Sequence, residues 1–333
     1  MRALLAVIVI AAVGWAGYWW LGASAAQSGF SAWFEARRAG GWVADTSDIS
    51  VRGFPNRFDT TFTDITLVDP ETGWAWQAPF FQLFALSYQP NHVIATWPGS
   101  QSLATPRQRF DVTSSKMQAS GVLGADTTLP LRRATLVADT LAITDDADET
   151  TAMTALRLAV ERVEGTEATY HLGLAADNLS PARAARLRLD RQGRLPQTFS
   201  AFSADITATF DEPWDRRALE VSRPQPRQIT VTLAEARWGD LELAAAGALD
   251  VDATGQPSGR LTVRARNWRD ILQLARASGQ LSPGLIDQME TGLSVLARLS
   301  GNNQTLDIPL DLRAGRVFLG PVPIGTAPIL KLR

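Results

Sequence analysis

The residues of this chain that could do chemistry are few and scattered. His92 and His171 are its only histidines, and it has no cysteine. That removes disulfides, thiolate zinc sites and a thiol nucleophile, and leaves too little imidazole for a histidine-rich metal centre. Carboxylates crowd at one place, Asp145-Asp146-Ala147-Asp148-Glu149. The run lacks the glycine and closing glutamate of an EF-hand loop, so it reads as a solvated acidic turn. There is no Gly-x-Ser-x-Gly elbow, no phosphate-cradling glycine loop, no His-Glu-x-x-His pair and no Ser-x-x-Lys. The expectation is a protein that is not an enzyme, with no catalytic residue, metal ligand or cofactor.

The elements around these residues are mostly strands. Period-two alternation begins at Val43 and runs through Ile49, Val51, Phe58, Thr60 and Phe62. It then slips by one, so that Ile65 and Leu67 become the apolar set, which predicts a bulge near Thr63. Further strands are expected at Val93–Trp97, Arg109–Leu123, Ala134–Ile143, Ala155–Val163 and Thr169–Ala175. Residues 177–198 break the pattern with Arg183, Arg186, Arg188, Arg191 and Arg194, and read as a basic connector. Ser180-Pro181 suits its helix start. Strands resume at Ala204–Phe210, Gln228–Ala236, Asp240–Val251 and Arg260–Arg266. Two helices follow: one capped by Asn267 and stopped by Gly279, the other opened by Ser282-Pro283 and closed by Gly301. The closing Gly320–Gly325 stretch is too proline-rich for a central strand.

Residues 3–34 carry no charge, and Leu4, Leu5, Ile8, Ile10, Val13, Trp19, Trp20 and Leu21 form an apolar run long enough to span a bilayer. Its aromatic end suits a membrane–water interface, and Arg2 before it places the N-terminus in the cytoplasm. Ala23-Ser24-Ala25 has the small-residue pattern of a signal-peptide cleavage site. The apolar stretch is long for a signal core, and Trp19 and Trp20 favour a retained anchor over residues 1–25. A short juxtamembrane helix over 26–42 follows, with Phe30, Trp33 and Phe34 on one face. The remaining expected layout is a first β lobe at 43–176, the connector, and a second β lobe with two helices at 199–333.

One strand differs from its neighbours. Phe80, Phe81, Leu83, Phe84 and Leu86 place apolar side chains on both of its faces, so both must be covered. One cover is the core; the other is a helix or loop of the same chain, a partner, or an apolar ligand.

Two segments are distinctive: Gly53-Phe54-Pro55-Asn56-Arg57-Phe58-Asp59, and Ala78-Pro79-Phe80-Phe81 running through Pro90-Asn91-His92 to Trp97-Pro98. With the anchor and the closing Leu319–Pro323, they resemble the bacterial envelope family called domain of unknown function 2125. That resemblance spans nearly the whole chain and implies no particular reaction. Trp238–Leu243 followed by Gly247–Asp250, together with the order of elements, is similar to AsmA-type membrane-anchored β proteins. That likeness implies lipids carried along an apolar groove. On the residues alone, Arg57 has Asp59, Asp64 or a phosphate as possible partners, and His92 belongs in a turn before a strand.

These readings converge on a mainly β fold: curved or elongated antiparallel sheets in two lobes, a few packing helices and one N-terminal transmembrane helix, with a closed barrel as the alternative. The expected place is the bacterial inner membrane, single-pass, with the bulk periplasmic. A net charge of −2 gives no reason to expect nucleic acid. The expected partner is membrane lipid, as anchor and as ligand, which 11 tryptophans and 13 phenylalanines would suit. The alternative is an envelope scaffold docking another protein through the Phe80–Leu86 strand.

Overall fold

The computed structural model describes residues 1–191, 193–220, 222–279 and 282–332. The protein is mainly β and divides into two compact units, Met1–Ala125 with Leu136–Asp148, and Asp126–Thr135 with Glu149–Arg333. The chain passes between the units at Ala125–Asp126, Thr135–Leu136 and Asp148–Glu149, and the stretch expected as a connector, 177–198, lies within the second unit. The strands flanking that connector pair directly with each other, which keeps it inside the second unit.

In the first unit, helix α1 (Arg2–Ala39) is followed by β1 (Val43–Asp45), β2 (Asp48–Arg52), β3 (Arg57–Asp69), β4 (Trp74–Leu86), β5 (Gln89–Thr96), β6 (Ser100–Ala104), β7 (Arg109–Ser115) and β8 (Gln118–Leu123). The strand β9 (Leu131–Asp145) contributes its last ten residues, Leu136–Asp145. The anchor and juxtamembrane helix, expected as two pieces, are one helix of 38 residues. Nothing between Ala23 and Phe34 removes a backbone donor, and the helix ends only at Gly40-Gly41. It is long and apolar enough to cross a membrane.

β3 is the spine of this unit. β1 and β2 lie end to end along one edge of it, and β4 along the other. The phase slip near Thr63 is real, but it is not a bulge. Asp48 pairs with Thr63 and Asp45 with Thr66, so neither strand gains a residue. Instead Asp64 adopts a left-handed backbone (φ 50°), and inward positions change parity in three strands together. Ile49, Phe62 and Phe81 face inward on one side of that row; Ala44, Ile65 and Ala78 do so on the other. The row is a crease across the sheet. The Thr63 carbonyl accepts from the Ser47 amide at 2.9 Å and the Thr46 hydroxyl at 2.7 Å there. The bulge lies elsewhere. From Gln77 to Gln82, β4 advances five residues, while its partner advances six, from Thr96 to Ser102. The extra residue is taken up around Trp97-Pro98-Gly99. The expected strand Arg109–Leu123 is likewise broken, at Lys116 (φ 49°).

The core of this unit is Phe34, Ala44, Ile49, Phe62, Ile65 and Ala78. Phe30 and Phe34 of α1 both meet the ring of Phe62, at 5.0 and 6.0 Å between centroids. The amphipathic second half of α1 thus covers one face of the creased sheet.

The second unit is an antiparallel meander in which each strand pairs with the next: β10 (Thr150–Arg162), β11 (Thr169–Ser180), β12 (Ala201–Phe210), β13 (Pro226–Trp238), β14 (Leu241–Val251), β15 (Pro257–Arg266), β16 (Thr305–Arg313), β17 (Arg316–Leu319) and β18 (Val322–Thr326). The proline-bearing last strand pairs only along its β17 side among the described residues, as a missing backbone donor requires. Between β11 and β12 lies α2 (Arg183–Leu189), which starts after Ala182 and not at the expected Ser180-Pro181. A short turn, α3 (Arg217–Glu220), precedes β13. α4 (Trp268–Ser278) and α5 (Pro283–Ser300) lie between β15 and β16, with Gly279 and Gly301 as left-handed caps and Pro283 in the first turn of α5. Their apolar faces close a core of Ala265, Trp268, Leu272, Leu293, Ala297 and Leu306.

Candidate functional site

The Gly53–Asp59 segment is a tight loop leading into β3. Gly53 has φ 104°, and a Cβ there would lie 2.9 Å from the Arg57 carbonyl, so only glycine fits. Its own carbonyl accepts from the Arg57 amide at 2.9 Å. The Phe54–Pro55 peptide bond is cis. Helix α1 holds this loop by its polar atoms. Trp15 Nε1 donates to the Pro55 carbonyl at 2.9 Å, and Trp19 Nε1 to that of Arg57 at 2.8 Å. The Tyr18 hydroxyl donates to the carbonyl of Ser87, in the neighbouring β4–β5 turn, at 2.6 Å. Ser87 is fully buried, and its amide donates to the Asn56 carbonyl at 2.8 Å. The Trp19 ring lies against both Phe54 and Phe58. Arg57 forms an ion pair with Asp59, not Asp64, and its guanidinium sits 5.7 Å over the Phe84 ring. The hydrogen bond and charge of Asp59 push the Arg57 pKa up.

The second motif also shapes backbone. Pro90, Asn91 and His92 lie within β5 and not in a turn; the turn is Ser87-Tyr88. Asn91 Nδ2 donates to the Leu123 carbonyl at 2.9 Å, and His92 pairs in register with Val122. Trp97 packs against Phe81 at 5.2 Å, and Pro98 is buried at the bulge.

On β4, Phe81 and Leu83 face the core under α1. Phe80, Phe84 and Leu86 point the other way. Every one of these five side chains is partly exposed, so neither face is sealed. Leu4, Leu5, Ile8, Ile10, Val13, Trp20 and Leu21 are exposed along α1, while Trp19 is half-buried in its loop contacts.

The second unit holds a larger apolar surface that single strands did not reveal. Strand register aligns Leu172, Ile206, Val231, Gly247, Leu261 and Leu310 in one row across six strands. The next row on the same face is Leu174, Ala204, Ala234, Ala245, Val263 and Ile308. All twelve are partly exposed. The rows beyond contain sealed positions: Tyr170, Ala208, Leu249 and Leu312 at one end, Ala176, Ala265 and Leu306 at the other. The opposite face carries the charge, with Arg260 paired to Asp311 at 2.7 Å, Arg264 to Asp307 at 2.8 Å and His171 to Asp205 at 2.9 Å. Five inter-strand spacings of ~4.8 Å make the strip about 24 Å long. Each strand does alternate in sequence, but only pairing shows that six apolar faces adjoin.

Polar chemistry is sparse by comparison. A cleft of about 500 Å³ is lined by Asp190, Arg194, Asp240 and Asp270 among others. Asp190 is spent on the Leu195 amide at 2.7 Å. In the acidic turn, Asp145 accepts from Gln108 and the Ala147 amide, and Asp146 from the Arg109 amide. Among the described residues no three His, Cys, Asp or Glu side chains group to hold a metal ion.

A family of uncharacterized proteins conserved in bacteria, DUF2125, matches residues 19–328. The chain belongs to the DUF2125 family. No curated protein and no solved structure matches it. The DUF2125 match begins at Trp19, so it takes in the second half of α1, both motif segments and the apolar strip.

Proposed function

We propose that this DUF2125 protein is a single-pass inner-membrane protein of the bacterial envelope, with a cytoplasmic N-terminus and a periplasmic body that binds or shields lipid-like apolar molecules. The observation that carries the ligand is the half-exposed strip of the second unit, flanked by rows that hold buried residues such as Tyr170, Leu249, Ala265 and Leu306, and backed by a charged face. The chains of one bilayer leaflet occupy about half of a ~30 Å hydrocarbon core, so a strip about 24 Å long accommodates an acyl chain lengthwise. At about 0.8 kcal/mol per buried methylene, such a chain is held without any catalytic group. The AsmA-type likeness implies the same use of an apolar groove.

Retention of the helix is supported by its interior. Ala23 is buried, the helix runs unbroken through Ala23-Ser24-Ala25, and cleavage there would remove the donors to Pro55, Arg57 and Ser87. Arg2 before the apolar run favours the inward N-terminus.

Photo-crosslinking in cells tests the ligand. A photoreactive residue at Leu261 should give lipid adducts by mass spectrometry, and one at its outward neighbour Thr262 should not. Protein adducts at Leu261 would favour an envelope scaffold docking a partner. Equal labelling at both positions would remove the strip as a binding site.

A further inference from the structure

We infer that the tip of the first unit, the Gly53–Phe58 loop with the Ser87-Tyr88 turn, is sunk into the outer leaflet of the bilayer. The inference rests on α1 crossing the membrane, and it follows from where α1 holds that tip. A hydrocarbon core of ~30 Å takes about 20 helical residues at 1.5 Å each. If Arg2 marks the inner edge, the outer edge falls near residue 22. Trp15, Tyr18 and Trp19 lie about 20, 24 and 26 Å from Arg2 by the same rise. They are therefore below the outer edge, and each is hydrogen-bonded to the tip, at the carbonyls of Pro55, Ser87 and Arg57. Keeping the tip in water would leave only Ala3 to Gly14 to span the core, about 18 Å of helix, and would thin the bilayer by ~12 Å.

The tip is built for that depth. Irregular backbone survives in a bilayer only where its polar groups find partners inside the protein. Here the carbonyls of Gly53, Pro55, Asn56, Arg57 and Ser87 all accept hydrogen bonds from the chain. Pro55 has no amide hydrogen to satisfy. The largest side chains left outward are Phe54, 58% exposed, and Tyr88, 62% exposed, beside Trp20 and Leu21 of the helix at 67% and 63%; Pro55, Asn56 and Arg57 are exposed with them. Phenylalanine offers area to acyl chains, and tyrosine suits the headgroup boundary. Arg57 is the one cation on the tip; paired with Asp59, its long side chain reaches towards the headgroups.

Depth-resolved quenching tests this on the full chain. Because there is no native cysteine, single cysteines at Ile8, Phe54, Tyr88 and Glu71 each take one environment-sensitive fluorophore. Glu71 lies in the turn at the far end of β3, twelve residue steps of ~3.3 Å, about 40 Å, from Arg57. In phosphatidylcholine vesicles with brominated acyl chains, Ile8, Phe54 and Tyr88 should all lose fluorescence and Glu71 should not. Quenching at Ile8 with Phe54 and Tyr88 both as bright as Glu71 would overturn the inference and leave the anchor standing. No quenching at Ile8 would overturn the anchor, and the inference with it. Tyr88 is the second probe because it stands on a separate turn from Phe54 and is itself 62% exposed.

Discussion

The indole nitrogen of Trp19 donates to the carbonyl oxygen of Arg57 at 2.8 Å, tying the end of an apolar helical run to the first residue of β3. The same helix turn carries Tyr18, bonded to Ser87 where β4 gives way to β5. A segment that composition alone assigns to a membrane is thereby part of the folded body.

Replacing Trp19 or Trp15 with phenylalanine should destabilise the full chain by about 0.5–1.5 kcal/mol each, the usual net worth of one hydrogen bond. Thermal unfolding in detergent measures this. Trp20→Phe, at a position facing away from the body, should stay within about 0.5 kcal/mol of the parent.

Gly22 is a close-approach position. A Cβ there would lie 2.5 Å from Cζ of Phe58. Gly22→Ala should push that ring off Trp19 and cost about 1–3 kcal/mol, as overpacking does. Gly17→Ala has no neighbour within 4 Å and should be neutral or slightly stabilising. Gly22→Ala combined with Phe58→Leu should recover part of the loss in the same melt.

Much of this layout was legible in sequence, because local chemistry sets it. Gly279, Pro283 and Gly301 mark helix ends where expected, since caps depend on neighbours along the chain. The larger failures are long-range. Asp64 turns left-handed and three strands flip parity with it; a single strand shows the flip but not whether its partners share it. Residues 177–198 look like a linker, but whether β11 and β12 pair beneath them is not a local property. The strip of Leu172 to Leu310 is invisible for the same reason. The Gly53–Arg57 motif stands out in sequence, but its hold on Trp15 and Trp19 spans some 40 residues.

Gly247 faces Leu261 across β14 and β15 with φ 149°, and a Cβ would collide with the Arg260 carbonyl. Gly247→Ala should cost more than about 2 kcal/mol, since backbone on both strands must shift. Denaturant unfolding should show the midpoint falling with an unchanged slope.

Acid should loosen the charged face of the second unit. The hydrogen bond from Arg264 holds the Asp307 carboxyl below its ordinary range against some desolvation, and its positive charge adds to this. His171 does the same for Asp205. A folded pKa below the unfolded value of about 3.9 gives stability that is complete above that value and lost as pH falls through the folded one. The stability difference between the parent and Asp307→Asn should therefore be constant near neutrality and shrink below about pH 4. Melts between pH 3 and 7 at fixed ionic strength check it.

The lipid-holding strip is tested most directly at two adjacent residues. Val263 lies on the apolar face of β15 and Thr262 on the other. In the full chain, a nitroxide at either position reports collisions with oxygen and with a water-soluble nickel complex. Adding phospholipid should shield Val263 from nickel and raise its oxygen contact, and leave Thr262 unchanged. If the two positions respond alike, or neither responds, the strip does not hold lipid.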